Sequence, residues 1–401
     1  MTTRKITNDL IYVGGSDTRE PTFENFIPLD KGMAYNSYLL LDEKTVLFDT
    51  VDRSVASTFF ENLESSLDGR SLDYLFITHM EPDHSDEIAD LLLRYPGVTI
   101  VLNAQSLKML DNFMGKDMQA KTIVVNPSSE FSSGKHSFKF INEPFVHWPE
   151  VMFIYDKYSK VLFSADAFGS FGANVGNIFD DEITLNESYF LEHRRYYANV
   201  IGKYGDYVIK ALDSIKDLDI KIVCPLHGVI WRSHFDQLLD KYKLWSRYLP
   251  ESNDIVIIYN TLYNHTSDLC YQIAAELAEH GVKNIKMYDV SKTELSFLIS
   301  EVFRVQNILL AATTYSTNLY PPMKSFLNDM AALNVQNKNF ALIENGTWGP
   351  LSGKRVLAIL ETMKNINVLN KPVRLMSRYK AENNQAGVEE IVDKLTDLYN
   401  K

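Results

Sequence analysis

The sequence predicts two α/β domains in tandem. Residues 1 to about 250 read as a two-sheet sandwich covered by helices, and residues 251–401 as a doubly wound parallel sheet with helices on both faces. Three observations carry this. Short apolar runs alternate with helical periodicity along a chain of 401 residues, which is long enough for two cores. Two neighbouring strand-like runs, residues 37–41 and 45–49, flank the turn Asp42-Glu43-Lys44 and suggest a hairpin. Finally, residues 248–253 interrupt a helical pattern with Pro250 and polar residues, after which the chain runs βαβαβαβαβα.

Taken in order, the first domain contains one segment that stands out. Residues 74–78 form an apolar run that reads as a buried strand, and His79-Met80-Glu81-Pro82-Asp83-His84 follows it. Four potential metal ligands lie within these six residues. A loop leaving a strand end can aim several side chains at one point. Alone, such a loop is also compatible with solvated charges after a strand. A site for two metals needs more ligands than one loop supplies, so partners are expected elsewhere. Three later runs, 145–148, 161–166 and 222–228, each place a ligand-type residue at the end of an apolar strand-like stretch: His147, Asp166 and His227. Each singly suits a turn residue equally well; their conjunction with the first loop points to a metal centre. Of the other histidines, His136, His234 and His280 read as surface residues or as supports behind the ligands. His193 reads either as lining the pocket or as lying on a helix surface, and His265 belongs to a loop of the second domain.

The first loop resembles the metal loop of the metallo-β-lactamase superfamily, with one departure. Where the hydrolases of that superfamily carry a second histidine, this chain has Glu81. A hard, anionic oxygen replaces a neutral nitrogen, and a mixed imidazole and carboxylate set suits iron better than a nitrogen-rich zinc site does. The whole set is similar to that of the flavodiiron proteins, which reduce oxygen and nitric oxide on a metallo-β-lactamase-like αββα sandwich. The resemblance implies one iron held by His79, Glu81, His147 and Asp166, and a second held by Asp83, His84, Asp166 and His227, with Asp166 bridging both. In some members of that family the histidine matching His84 turns away from the metal.

The second domain tests this reading independently. Residues 254–259 read as a buried strand, followed by Asn260, Thr261, Leu262, Tyr263, Asn264, His265 and Thr266 and an amphipathic helix over 267–280. Backbone amides at a helix start, with the hydroxyls of Thr261 and Thr266, can hold a phosphate without Lys or Arg. An ordinary turn capped by Thr266 fits the same loop. Two more strands open into loops: 307–312 into Thr313, Thr314, Tyr315, Ser316, Thr317 and Asn318, and 340–343 into Glu344, Asn345, Gly346, Thr347, Trp348, Gly349 and Pro350. Ligands of open parallel sheets bind beyond the carboxyl ends of the strands. The three loops resemble the FMN loops of flavodoxin-like domains, with Asn264 where the phosphate loop usually has Gly. Asn tolerates the left-handed backbone better than most residues. Tyr315 and Trp348 are the aromatics expected to border the flavin ring. The Gly-rich pyrophosphate fingerprint of dinucleotide sites is missing, which favours FMN over FAD.

Composition bounds the rest. Hydrophobic content of 45% and charged content of 23% are ordinary for a soluble globular protein. A net charge of −12 argues against nucleic-acid binding and suits a partner with a basic docking face. No apolar run of about 18 residues and no signal-peptide pattern is present, so no membrane association and a cytoplasmic location are expected. Cys224 and Cys270 are too few for a disulfide framework or for a rubredoxin or iron–sulfur site, which takes about four Cys ligands. The last helical segment, 387–399, ends close to Lys401, and no further domain is expected. Electrons must then come from a separate donor, such as rubredoxin or a flavin/NAD(P)H reductase. The resemblance further implies a head-to-tail homodimer, or a dimer of such dimers, that brings one chain's flavin to the other's irons. Trp348 is the residue expected at that junction, or else a surface residue covering its own domain. Two rival readings are a metal-dependent hydrolase, which Glu81 argues against, and a flavodoxin-like electron carrier with a vestigial metal site, which the full ligand set argues against.

Overall fold

The computed structural model describes residues 2–114 and 121–401. It divides into two compact units, Met1–Tyr197 with Asp206–Asp240, and Ala198–Gly205 with Lys241–Lys401.

Among the described residues the first unit holds two main sheets, beside two small two-stranded ones at residues 15–35. The seven strands of one lie in chain order: β1 (Arg4–Lys5), β2 (Leu10–Tyr12), β3 (Tyr38–Leu41), β4 (Thr45–Phe48), β5 (Tyr74–Phe76), β6 (Thr99–Asn103) and β7 (Thr122–Val125). The expected hairpin is β3–β4, paired antiparallel; β4 through β7 pair in parallel. The second sheet is β8 (Phe131–Ser132), β9 (Ser137–Asn142), β10 (Met152–Asp156), β11 (Val161–Phe163) and β12 (Ile222–Cys224), antiparallel except for the β11–β12 pair.

Alternating residues of both sheets point into one core, as the two-residue strand period requires. Val46 and Phe48 of β4 and Phe76 of β5 meet Phe138, Phe140, Met152, Ile154, Val161 and Phe163. The Phe48 and Phe163 rings stack across the sheets, 3.6 Å apart at 8°. Each ring buries on the order of 2–3 kcal/mol of apolar surface, with a smaller gain from the aromatic pairing. Four helices flank the early strands: α1 (Ala56–Leu67), α2 (Pro82–Ser85), α3 (Ile88–Arg94) and α4 (Ala104–Met114). Then come α5 (Glu187–Tyr196), α6 (Gly205–Ile215) and α7 (Phe235–Trp245).

Two sequence expectations need correction. Residues 145–148 form a turn between β9 and β10 rather than the end of a strand, and Phe145 takes a left-handed φ of 65°. His136 is not a surface residue. It is fully buried, with Nδ1 2.6 Å from Asp156 and Nε2 3.1 Å from Asp9. Its two carboxylate neighbours make burial of the ring affordable.

The second unit is a parallel sheet wound by helices. Its strands are β13 (Ser252–Tyr259), β14 (Lys286–Asp289), β15 (Val305–Tyr315), β16 (Lys338–Asn345), β17 (Ile366–Val368) and β18 (Val373–Leu375). The order is β14-β13-β15-β16, with β17 and β18 both beside β16, the flavodoxin-like 2-1-3-4-5 arrangement with its last strand split. The helices are α8 (His265–Glu279), α9 (Leu295–Arg304), α10 (Pro321–Ala332), α11 (Ser352–Leu360) and α12 (Ala381–Tyr399). The centres of β13, β15 and β16 are continuously buried, as expected for parallel strands covered on both faces. Among the described residues no helix is long and apolar enough to cross a membrane.

Candidate metal centre and flavin groove

The metal loop starts where β5 ends. Asp49, just after β4, adopts φ of 54° and is buried, and its carboxylate accepts hydrogen bonds from Thr78 N at 2.8 Å and Thr78 Oγ1 at 2.7 Å. That pins the backbone before His79. Pro82 then opens the short helix α2, whose first turn carries Asp83 and His84. Thr50 binds the His84 carbonyl through Oγ1 at 2.7 Å and N at 2.9 Å. His147 comes from the β9–β10 turn, Asp166 from the turn after β11, and His227 from the loop after β12. Ala165 and Phe168, on either side of Asp166, both have left-handed φ, 49° and 70°. Such conformations cost about 1–3 kcal/mol each for residues other than glycine and persist where the surroundings enforce them. Gly228 turns the chain directly after His227 at φ of 73°, where a Cβ would lie 2.4 Å from Ser170 Oγ.

All seven predicted ligand candidates converge. His79, Glu81, His147 and Asp166 form one group and Asp83, His84 and His227 another, all buried. Asp166 stands between them. Its Oδ2 is 3.0 Å from His147 Nε2 and 3.5 Å from His79 Nε2; its Oδ1 is 3.2 Å from His84 Nε2 and 3.7 Å from His227 Nε2. Glu81 Oε2 is 3.1 Å from both His79 Nε2 and His147 Nε2, and Asp83 Oδ2 lies 3.3 Å from His227 Nε2 and 3.4 Å from His84 Nε2. Such mutual approach of imidazole nitrogens and carboxylates is what a shared cation would organise. Among the described residues both Asp83 carboxylate oxygens are buried with no hydrogen-bond partner, which is expensive unless a cation completes them.

Electrostatics agree. Although burial works against the charged form, the neighbouring imidazoles hold Asp166 well below the usual carboxylate range, and His147 and His79 hold Glu81 low in the same way. His147 is pushed up to about 9: burial opposes its charge, but Asp166 and Glu81 outweigh it. Once metal displaces the ring protons, three buried carboxylates with four imidazoles would carry −3, which suits two divalent cations.

The remaining histidines sort clearly. His193 is buried and its Nδ1 meets the Gly169 carbonyl at 2.9 Å; it is in neither ligand group. His234 and His280 are exposed. Sequence reasoning missed Glu150, whose Oε1 holds His79 Nδ1 at 2.7 Å. It also missed the Ala34 carbonyl, which accepts from His227 Nδ1 at 2.8 Å. The only signal for Glu150 was its place three residues after His147. His84 Nδ1, by contrast, has no hydrogen-bond partner among the described residues.

In the second unit the three loops after β13, β15 and β16 enclose a groove of about 180 Å³. It is lined by Thr261, Leu262, Tyr263, His265 and Thr266 from the first loop and by Thr313 and Thr314 from the second. Asn345, Gly346, Thr347 and Trp348 from the third loop, with Ser377, complete it. Asn264 precedes α8 in the left-handed conformation, φ of 66°, and its side chain does not cap the helix. The start of α8 therefore has no side-chain cap, its residues His265 and Thr266 line the groove, and among the described residues Thr261 Oγ1 is buried with no partner. Both features suit a phosphate. Asn345 Nδ2 donates to Thr266 Oγ1 at 3.0 Å, tying the first and third loops. Tyr315, Ser316, Thr317 and Asn318 form a small hairpin outside the groove lining, with the Tyr315 ring against Tyr320 at 6.1 Å. Gly349 lies just past the lining residues. Tyr263 and Trp348 are 82% and 76% exposed, open to a ligand or a partner.

Comparison with known proteins fits this geometry. Residues 33–228 match a family model described as ODP family beta lactamase. An uncharacterized protein of Methanocaldococcus jannaschii is 32% identical over 360 residues, 90% of this chain and 89% of that one. The anaerobic nitric oxide reductase flavorubredoxin of Klebsiella pneumoniae is 28% identical over 348 residues, 86% of this chain and 71% of that one. Among solved structures, rubredoxin oxygen:oxidoreductase from Desulfovibrio gigas superposes with a TM-score of 0.90 at 25% identity, over 100% of both chains. The flavodiiron protein from Giardia intestinalis superposes with a TM-score of 0.90 at 21% identity, over 100% of this chain and 98% of that one. With the sandwich, the paired ligand groups and the flavodoxin-like sheet in place, these likenesses assign the chain to the flavodiiron protein family of oxidoreductases.

Proposed function

We propose that this protein reduces dioxygen to water, nitric oxide to nitrous oxide, or both. The centre is a diiron site held by His79, Glu81, His147 and Asp166 on one side and by Asp83, His84, His227 and Asp166 on the other. FMN in the groove of the second unit feeds it, and a separate donor such as rubredoxin or a flavin/NAD(P)H reductase refills the FMN. The observation that supports this most is the division of the two Asp166 oxygens between two buried ligand groups.

When bound, two irons and one FMN together supply four electrons, which dioxygen needs to reach water and of which two nitric oxide molecules need two. The chain's own part is geometry and electrostatics. Glu81, Asp83 and Asp166 balance cation charge in a buried pocket where water screens little. Glu150 and the Ala34 carbonyl hold His79 and His227 by their Nδ1 atoms, so that each presents Nε2 to the centre. The start of α8 and the hydroxyls of Thr261 and Thr266 would hold the flavin phosphate, leaving the ring beside Trp348. Working as a head-to-tail homodimer in the cytoplasm, the protein would pass electrons between subunits.

Metal analysis, an ultraviolet-visible spectrum and turnover with one electron donor, under oxygen and under anaerobic nitric oxide, test the reading. Two irons, a flavin spectrum and consumption of either gas are expected. Zinc without turnover would instead mark a hydrolase, and flavin without metal an electron carrier. Mass analysis of the released cofactor should give FMN; recovery of FAD would sink the groove assignment.

A further inference from the structure

One wall of the flavin groove lies outside the three loops described above. It is the segment after β18, where Ser377 lines the groove at a φ of 83°. Asn345 holds this residue from both sides: Ser377 N donates to Asn345 Oδ1 at 3.1 Å, and the Ser377 carbonyl accepts from Asn345 Nδ2 at 3.0 Å. The Ser377 hydroxyl lies 2.8 Å from His265 Nδ1, and Arg378 Nε lies 3.1 Å from His265 Nε2.

The proton positions follow from the chemistry of these groups. A guanidinium has only donors, so His265 Nε2 must be the acceptor. The ring proton then sits on Nδ1 and is donated to Ser377 Oγ. The Ser377 hydroxyl keeps its own hydrogen, and among the described residues no acceptor for it is present. Arg378 has no ion-pair partner among the described residues, so its charge is uncompensated within the unit. A chain of hydrogen bonds that starts at a cation polarises each later donor. The last donor belongs to a residue lining the same groove as His265 and Thr266 at the uncapped start of α8 and as Thr261, whose hydroxyl has no partner among the described residues.

We propose that Ser377 binds the phosphate of FMN, with its hydroxyl aimed and polarised by Arg378 through His265. This rests on the reading that FMN occupies the groove, and it adds a fourth segment, outside the three strand-end loops, to the phosphate site. Ser377 and His265 supply direction, and Arg378 supplies charge from behind without touching the ligand.

The test is flavin-fluorescence titration of the full-length chain, stripped of flavin, with FMN and with riboflavin, which lacks the phosphate. Ser377→Ala makes the same backbone demand as serine, so it removes the hydroxyl alone. FMN affinity should fall about tenfold in this variant, the worth of a hydrogen bond to a charged group, while riboflavin affinity stays within about twofold. Arg378→Gln, at an exposed position, should weaken FMN by about threefold and reduce the salt dependence of binding, again sparing riboflavin. Equal losses for both ligands, or unchanged FMN affinity in either variant, overturn the relay. A wild-type chain that takes up neither ligand removes the FMN reading itself and the relay with it. A wild type that binds FMN normally while the variants behave as wild type removes the relay alone.

Discussion

Glu150 Oε1 lies 2.7 Å from His79 Nδ1 and also accepts the Met80 amide at 2.9 Å. One carboxylate thus fixes both the ring and the backbone of the metal loop, leaving His79 Nε2 toward Glu81 at 3.1 Å and Asp166 at 3.5 Å. Substituting Glu150→Gln keeps the shape but removes the charge that raises the basicity of His79. Iron affinity should fall by about 10–100-fold with little change in fold, read from iron titration alongside circular dichroism. An unchanged affinity would leave Glu150 as a packing residue.

Asp166→Ala should empty both metal positions, because each ligand group uses one of its oxygens. Elemental analysis of the purified variant is the check. One metal retained at full occupancy would refute the bridge.

Lys338 gives a pH prediction from the end of β16 opposite the groove. It is buried at the start of β16, its ammonium bonded to the Val305 carbonyl at 2.7 Å, and burial pushes its pKa down to about 7. In the unfolded chain a lysine titrates near 10.4. Between those two values the unfolded state holds a proton that the folded state lacks. Stability from this group therefore rises with pH from about 7 to about 10, and is level below 7, where the full cost of burying the charge is present. Lys338→Met should abolish that slope and raise the unfolding free energy at pH 7 by on the order of 3 kcal/mol, after allowing about 1 kcal/mol for the Val305 carbonyl left without a donor. Urea denaturation at several pH values reads both; parallel curves for variant and wild type would contradict it.

Activity should require the dimer. Electron transfer slows steeply with distance, and the 76% exposure of Trp348 at the groove leaves it open to a second copy. A dimer-breaking substitution should leave iron and flavin contents nearly intact and block oxidation of reduced flavin through the iron centre. A verified monomer carrying both cofactors that still reduces oxygen to water at the wild-type rate would remove the inter-subunit route.

Much of this was legible because strand ends are legible. The runs ahead of His79, Asp166 and His227 are strands, β5, β11 and β12, and short parallel strands buried on both faces read as uninterrupted apolar runs. Only Phe145 and Val146 run directly ahead of His147, after Pro144, and they form a turn, because so short an apolar run carries no period that separates a strand from a packed loop. The sequence reads His136 as a surface residue or a support behind the ligands; its actual partners, Asp9 and Asp156, lie 127 and 20 residues away, and nothing in a single sequence links them. Glu150 and Ser377 escaped for the same reason. The first acts 71 residues from His79 and the second 112 residues from His265. In both, the chemistry resides in a hydrogen-bond pairing that no local motif records.

The ligand candidates do not hang from one sheet. His79, Glu81, Asp83 and His84 follow β5 of the first sheet, while His147, Asp166 and His227 follow strands of the second. Metal held by all of them would act as a rivet through the sandwich, joining at its rim two layers that otherwise adhere through packed phenylalanines. Binding energy at such a rivet is also folding energy. Iron supply would then set how long each chain survives proteolysis, as well as whether it turns over.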